Sequence, residues 1–225
     1  MIRRGGRFVE IKLRGVISEG HDRVSFILGR RGWSLRDLLD LLESISKDSR
    51  IELVVLTIQD LAVGWAQVEE IHQQLARVHD RDKRTIAFLE HASQPLLYLA
   101  SGCQKTYAAP PTTIELVGLS TESYFFRDAL DWLGVEPEFF RTGAYKTAVE
   151  PFERNRMSDA NREMTDSLLT DLQDRFIGSL ARQRKVEPTQ VKRWIENGPF
   201  TSPQARKEGI LDGVCYLDEL LRTLK

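Results

Sequence analysis

A strand-sized apolar run, Glu52-Leu53-Val54-Val55-Leu56-Thr57-Ile58, sets the first constraint on this chain. It is nearly continuous, so neither of its faces can be left in water. Such a run suits a strand covered on both faces, as in a parallel sheet with helices packed on it. The residues that follow supply the cover. From about Ala66 to His79, the side chains Val68, Ile71, Leu75 and Val78 fall on one face of a helix. Thr85 to Leu89 is the next strand, and Leu96 to Ala100 is a buried helix ended near Gly102.

The same alternation extends in both directions. Phe8 to Leu13 alternates apolar and polar residues, as a strand does. Ser34 is placed to N-cap an amphipathic helix running to about Ile45. Thr106 to Ala109 is a short strand stopped by Pro110-Pro111. Ser123 to Leu133 is expected to be helical, with Gly134 ending it. Val135 to Arg141 is expected to be a strand near a sheet edge, because Pro137 interrupts it. Ser158 is expected to N-cap a long helix to about Arg184, with Met164, Leu168, Leu169, Leu172, Phe176 and Leu180 on its apolar face. That face could serve as core, as subunit contact, or as both. Shorter helices are expected from Pro188 to Glu196 and from Leu217 to Leu221. Repeated βα units with no repeat, low-complexity tract or long linker suggest one α/β domain over residues 1–225, with a largely parallel sheet and a long C-terminal helical arm.

Composition narrows the partners. Charged residues make up 29% of the chain and nearly cancel, leaving a net charge of -1. No basic excess exists to neutralise phosphates, which argues against a nucleic-acid surface. The apolar runs are strand-sized, far short of a bilayer span. Met1 to Gly6 is basic, but no apolar signal core follows. A soluble, cytoplasmic chain is therefore expected, with membrane association only through a segment absent from it. Cys103 and Cys215 lack metal-ligand spacing and should be packed, reduced thiols. His72 and His79 lack ligand partners and are expected to be solvent-side. The Asp80 to Arg84 charge run has the ordinary solvated reading. No Gly-rich phosphate cradle is present, and no metal or organic cofactor is expected.

The segment Gly143-Ala144-Tyr145-Lys146-Thr147-Ala148-Val149-Glu150-Pro151-Phe152 stands apart. Lys146 is followed by small and apolar residues, and the aromatic pair Phe139-Phe140 precedes it. Two readings are open from composition. One is a surface lysine on a loop. The other is a lysine packed in apolar surroundings, where burial disfavours the charged form and yields a neutral amine able to activate a serine. Glu150 lies four residues on and is expected to point elsewhere, because a nearby carboxylate would favour the charged lysine.

This segment, continued by Arg154-Asn155-Arg156-Met157-Ser158, resembles the lysine motif of the signal peptide peptidase A family, also called protease IV. The stretch from Phe200 to Asp212 resembles the family as well, and the likeness covers nearly the whole chain, weakly over its first ninety or so residues. The resemblance implies a ClpP/crotonase-like fold, a Ser/Lys peptidase, and Lys146 as general base. It also implies a membrane-associated setting and a tendency to form homo-oligomers.

The nucleophile does not follow the family pattern. Counting back from Ala100-Ser101 and Lys105 puts Gln94 at the nucleophile position, with Pro95-Leu96 in place of two glycines. Ser93 is one residue off, a turn of about 100° at a helix start, and is expected to be a helix N-cap. The oxyanion turn is replaced by Asp60-Leu61-Ala62-Val63-Gly64-Trp65. In tandem members of the family, the first copy keeps the lysine and lacks the serine, which the second copy supplies. This chain resembles that first copy. The resemblance thus implies half of a split active site, acting on hydrophobic peptides such as signal-peptide remnants and completed by a serine-bearing homologous domain or subunit. A non-catalytic scaffold subunit is the alternative. An acyl-CoA enzyme of the crotonase type is a third, disfavoured by the Val63-Gly64-Trp65 turn.

Overall fold

The apolar run 53–58 lies inside a parallel sheet, and each of its side chains is buried. A computed structural model of the chain describes residues 2–5, 7–19 and 32–224. In chain order, its first elements are β1 (Ile2–Gly5), β2 (Phe8–Ser18), β3 (Trp33–Ser34), α1 (Leu35–Lys47), β4 (Leu53–Ala62), α2 (Trp65–His79), β5 (Arg84–Leu89), α3 (Gln94–Ser101), β6 (Lys105–Ala108) and β7 (Thr113–Ile114). They are followed by α4 (Arg127–Trp132), α5 (Glu150–Glu153), α6 (Asp159–Arg184), α7 (Pro188–Asn197), β8 (Phe200–Thr201), α8 (Ser202–Lys207), β9 (Gly213–Val214) and α9 (Leu217–Thr223).

Among the described residues, the main sheet runs β1-β2-β4-β5-β6-β9, with β3 also paired to β2. β1 is antiparallel to β2, and every other pairing in it is parallel. Spatial order follows chain order, so successive crossovers step the same way across the sheet. That is the outcome expected of right-handed βαβ connections. β7 and β8 form a separate antiparallel pair. The fold is α/β of the ClpP/crotonase type.

Side-chain alternation assigns the two faces of the sheet. Phe8, Leu53, Val55, Ile86 and Phe88 form one cluster with Leu220 and Leu221 of α9. The intervening Val54, Leu56 and Ile58 are fully buried, as are Val68, Ile71, Leu75 and Val78 of α2. The expected helix face of α2 is therefore the one buried. The Ser34 hydroxyl caps α1 by accepting from the Asp37 N–H at 3.3 Å. A register shift in the β2–β4 pairing between Leu13 and Gly15 coincides with a φ of +76° at Gly15, a conformation glycine adopts without strain.

Contacts divide the chain into two compact units, residues 1–117 with 177–225, and residues 118–176. We call them the sheet unit and the lysine unit. In the lysine unit, two expectations need correction. Val135 to Arg141 is not a strand, although the aromatic and branched residues there favour one. Phe140 is fully exposed, and among the described residues no strand pairs with this segment, so the propensity finds no ladder to join. The helix expected from Ser123 starts at Arg127 instead. The Phe126 N–H donates to the Pro151 carbonyl at 2.6 Å, which ties the chain down just before the helix begins. Phe152 stacks with Phe126 and tilts against Phe139, with ring centroids 5.9 and 6.1 Å apart.

The long helix forms as expected and is capped at Ser158, whose hydroxyl accepts from the Asn161 N–H at 3.1 Å. Its apolar face changes character along its length. Met164 and Leu168 are exposed, whereas Phe176, Ile177 and Leu180 are buried. Among the described residues, no helix is long and apolar enough to cross a membrane.

The sheet unit yields a stability test. Leu75 is fully buried on α2. Leu75→Ala should cost about 3 kcal/mol, from lost burial plus the cavity left behind. Urea unfolding monitored by circular dichroism measures it, and a cost below about 1 kcal/mol would mean that the α2 face is not a packed core.

Candidate active site

Lys146 sits on an irregular loop of the lysine unit, and its backbone is held on several sides. Its N–H donates to the Gly143 carbonyl at 3.3 Å. Gly143 has φ +95°, in the region that favours glycine, so the turn before the lysine depends on that residue. The Lys146 carbonyl accepts from Arg141 Nη1 at 3.2 Å, and Arg141 Nη2 pairs with Glu153 Oε2 at 3.1 Å. The neighbouring Tyr145 hydroxyl donates to Glu163 Oε2 on α6 at 3.0 Å. That bond raises the Tyr145 phenol pKa, because the carboxylate stabilises the protonated phenol.

The lysine side chain itself is exposed. Among the described residues, its ammonium makes no hydrogen bond or ion pair. Aromatic residues beside it are exposed as well. Tyr145 is 57% exposed and Phe140 is fully so. A well-placed backbone thus carries a solvated side chain.

Glu150 turns away from the lysine, as electrostatics requires. It is 1% exposed, and its Oε2 accepts from the Ser158 N–H at 3.1 Å and from Asn161 Nδ2 at 3.0 Å. Burial pushes its carboxyl pKa up. The Ser158 and Asn161 hydrogen bonds, aided by Arg154, outweigh that and hold it below the ordinary range. One buried carboxylate therefore joins the lysine loop to the first turn of α6, where the helix dipole also favours negative charge.

In the sheet unit, Gln94 is the first residue of α3, the helix that follows the third parallel strand. This is where the family pattern puts its nucleophile, and Gln94 is buried there. Ser93 occupies the N-cap position, but its hydroxyl makes no capping bond, which corrects the side-chain part of that expectation. At the oxyanion turn, the Gly64 N–H donates to Gln67 Oε1 at 3.1 Å. That donor is already engaged, so it is not free to meet a developing oxyanion.

Two features of the sheet unit escape sequence reading. His72 is not solvent-side. Its Nε2 lies 2.7 Å from the Ser179 hydroxyl and 3.3 Å from that of Ser101, and its ring stacks on Tyr98. Burial lowers its pKa and favours the neutral ring. The spacing is that of a serine–base pair, but Ser101 and Ser179 are both buried, and Ser101 also donates to the Tyr98 carbonyl. This is a packing network joining α2, α3 and α6. No local pattern links positions 72, 101 and 179, so only the fold reveals it. Lys83, expected in a solvated run, is buried and donates to the carbonyls of Asp48 and Ile51. The cysteines are free thiols; burial pushes Cys103 up to about 12, far from a thiolate nucleophile. Among the described residues, no three His, Cys, Asp or Glu side chains cluster as a metal site.

Comparison with known proteins adds to this geometry. The model of peptidase family S49 matches residues 77–225. A chloroplastic serine protease SPPA of Arabidopsis thaliana is 27% identical over 222 residues, 99% of this chain and 32% of that protein. Protease 4 of Salmonella typhi is 30% identical over 159 residues, 70% of this chain and 26% of that protein. The chain thus spans about a third or less of these two relatives. An enoyl-CoA hydratase from Polaromonas sp. JS666 superposes with a TM-score of 0.54 at 14% identity, covering 100% of this chain and 75% of its own. That likeness shows the fold alone.

Glu150 provides a test with a definite sign. A carboxylate held below its unfolded value stabilises the fold above the unfolded pKa, and this contribution is lost as pH falls through the folded one. Glu150→Gln should destabilise the start of α6 by about 2 kcal/mol near pH 7, the scale of a hydrogen bond to a charged acceptor. The difference between variant and parent should vanish in acid, below the depressed Glu150 value. Hydrogen exchange at the Ser158 and Asn161 amides from pH 7 downward reads it out. A pH-independent difference would rule out the carboxylate charge as its source.

Proposed function

The chain belongs to peptidase family S49, and from that premise we propose that it is the lysine-bearing half of a Ser/Lys endopeptidase site. Residues 1–225 would form one ClpP/crotonase-like domain of the split enzyme. The observation carrying this reading is the state of Lys146: a pinned backbone and an ammonium unpaired among the described residues, in a chain with glutamine at its own nucleophile position.

The missing parts would come from a serine-bearing homologous domain or subunit. Docking of that partner would exclude water from Lys146 and favour its neutral form. The amine would then take the proton from the partner's serine hydroxyl as the oxygen attacks the scissile carbonyl. It would return a proton to the leaving amine when the tetrahedral intermediate collapses. Donors on the partner would hold the oxyanion, since Gly64 is engaged by Gln67. Hydrophobic peptides, such as signal-peptide remnants, are the substrates that fit. They would bind extended, with backbone hydrogen bonds along a strand and side chains in apolar pockets. This mechanism requires no metal or organic cofactor.

The exposed apolar residues of the lysine unit support association with a homologous partner or with further copies of the chain. Trp132, Leu133, Phe140 and Leu168 are all more than half exposed, and such exposure on a soluble surface marks interaction sites when it is contiguous. A cytoplasmic location remains part of the proposal. The alternative, a non-catalytic scaffold subunit, draws on the buried Gln94 and the engaged Gly64 N–H.

Two measurements test the proposal, and the second separates it from the scaffold reading. The purified chain alone should not cleave a fluorogenic apolar peptide; robust turnover abolished by Ser93→Ala would make Ser93 the nucleophile. In enzyme assembled with the serine-bearing partner, Lys146→Met should lower kcat by at least about 1,000-fold without preventing assembly. Lys146→Arg should fail equally, because guanidinium does not deprotonate. Unchanged kcat with Lys146→Met would favour the scaffold.

A further inference from the structure

A cavity of about 780 Å³ opens on the α9 side of the main sheet, within the sheet unit. Its volume is in the range of small-ligand sites. Phe8, Phe88, Ala109 and Leu221 supply apolar lining, while Lys12 and Glu90 bring opposite charges.

The two charges are differently held. Lys12 Nζ lies 3.5 Å from Oε1 of Glu10, a long contact for an ion pair. Glu10 is fully buried; its Oε1 accepts from Thr57 at 3.0 Å, and its Oε2 has no hydrogen-bond partner. This contact holds the Lys12 side chain beside the cavity that it lines. The ammonium has three donors, and among the described residues this one long contact leaves capacity to spare. Glu90 accepts from Gln59 through Oε2 at 2.9 Å, leaving acceptor capacity on Oε1. The other charged lining residues, Asp218 and Arg222, pair with each other on α9.

Strand register sets the spacing. Lys12 lies opposite Thr57, and Thr57 opposite Phe88, so β2 and β5 stand two strand spacings apart. That is about 9.6 Å. Glu90 lies two residues beyond Phe88, about 6.6 Å further along, so the backbone diagonal from Lys12 is about 12 Å. An extended tripeptide spans about 10 Å between its ends. Its carboxylate would meet Lys12, its ammonium would meet Glu90, and its apolar side chains would lie on Phe8, Phe88 and Leu221.

We propose that this cavity binds a short apolar peptide with free ends, a zwitterion about three residues long, between Lys12 and Glu90. The proposal is independent of the split-site reading, since it uses no residue of the lysine unit.

The probes are Leu-Ala-Leu with free ends, its C-terminal amide and its N-acetyl form, titrated into the full chain by calorimetry. The free form should bind saturably, and each cap should weaken binding about tenfold, or about 1.4 kcal/mol. Lys12→Gln should abolish the effect of amidation while leaving that of acetylation. Glu90→Gln should do the reverse. Because Lys12→Gln leaves Glu10 buried and uncompensated, the double variant Glu10→Gln/Lys12→Gln supplies the same test in a neutral background. No saturable binding up to about 10 mM free peptide would overturn the proposal, that concentration corresponding to under 3 kcal/mol of affinity. So would equal binding of free and capped forms, or cap effects unchanged in the variants.

Discussion

Burial of both faces of β4 is the constraint on which the rest of the sheet unit depends. Val54, Leu56 and Ile58 point one way, Leu53 and Val55 the other, and all are out of water. One layer cannot satisfy such a strand. The crossover helices cover one face, while Phe8, Ile86, Phe88 and the terminal helix α9 complete the cluster on the other. Once β4 is central, β2 and β5 must flank it and connections of helical length must join them in parallel. Polar side chains on the α9 face then carry consequences out of proportion to their number. Glu10 and Thr57 occupy positions in this sheet that apolar residues would fill in a purely structural layer. Their mutual hydrogen bond and the Lys12 contact offset only part of the cost of burying a carboxylate.

The lysine unit is organised by a different rule. It has little apolar core, and its order comes from hydrogen bonds that converge on the segment around Lys146. Arg141 bridges the Lys146 carbonyl and Glu153, while Glu150 joins the segment to the start of α6. Spending backbone hydrogen bonds on one loop while leaving its cation in water makes little sense as a contribution to this chain's own stability. A surface ion of that kind adds at most a fraction of a kcal/mol. Prior ordering of the loop does lower the entropy cost of a later docking event, because the segment need not be fixed at that moment.

Legibility in the sequence followed the range of the interactions. The Ser34 and Ser158 caps and the buried face of α2 were readable because cap spacing and helical periodicity are local signals. Gln94 at the head of α3 was readable by counting from landmarks within the same strand–helix unit. What failed depended on partners distant in sequence. Phe139 and Phe140 have strand propensity, but a strand needs a neighbour, and among the described residues none pairs with them. Lys83 belongs to a charge run, yet two carbonyls more than thirty residues away draw its ammonium inward. His72 meets Ser179 across 107 positions, a separation at which composition carries no information.

The exposure of Lys146 bears on how a split site would be controlled. A lysine amine acts as a base only in its neutral form, and burial is what favours that form. In this chain the lysine side chain is exposed, as are Tyr145 and Phe140 beside it. In the proposed assembly, the surface that brings the serine is also the surface that displaces water from the lysine. Nucleophile and base would then become competent in the same event. Neither half could hydrolyse peptides before docking, one lacking a nucleophile and the other a base. On this reading, the exposed ammonium of the isolated chain is the unassembled state of the site, and its solvation is what keeps proteolysis dependent on the partner.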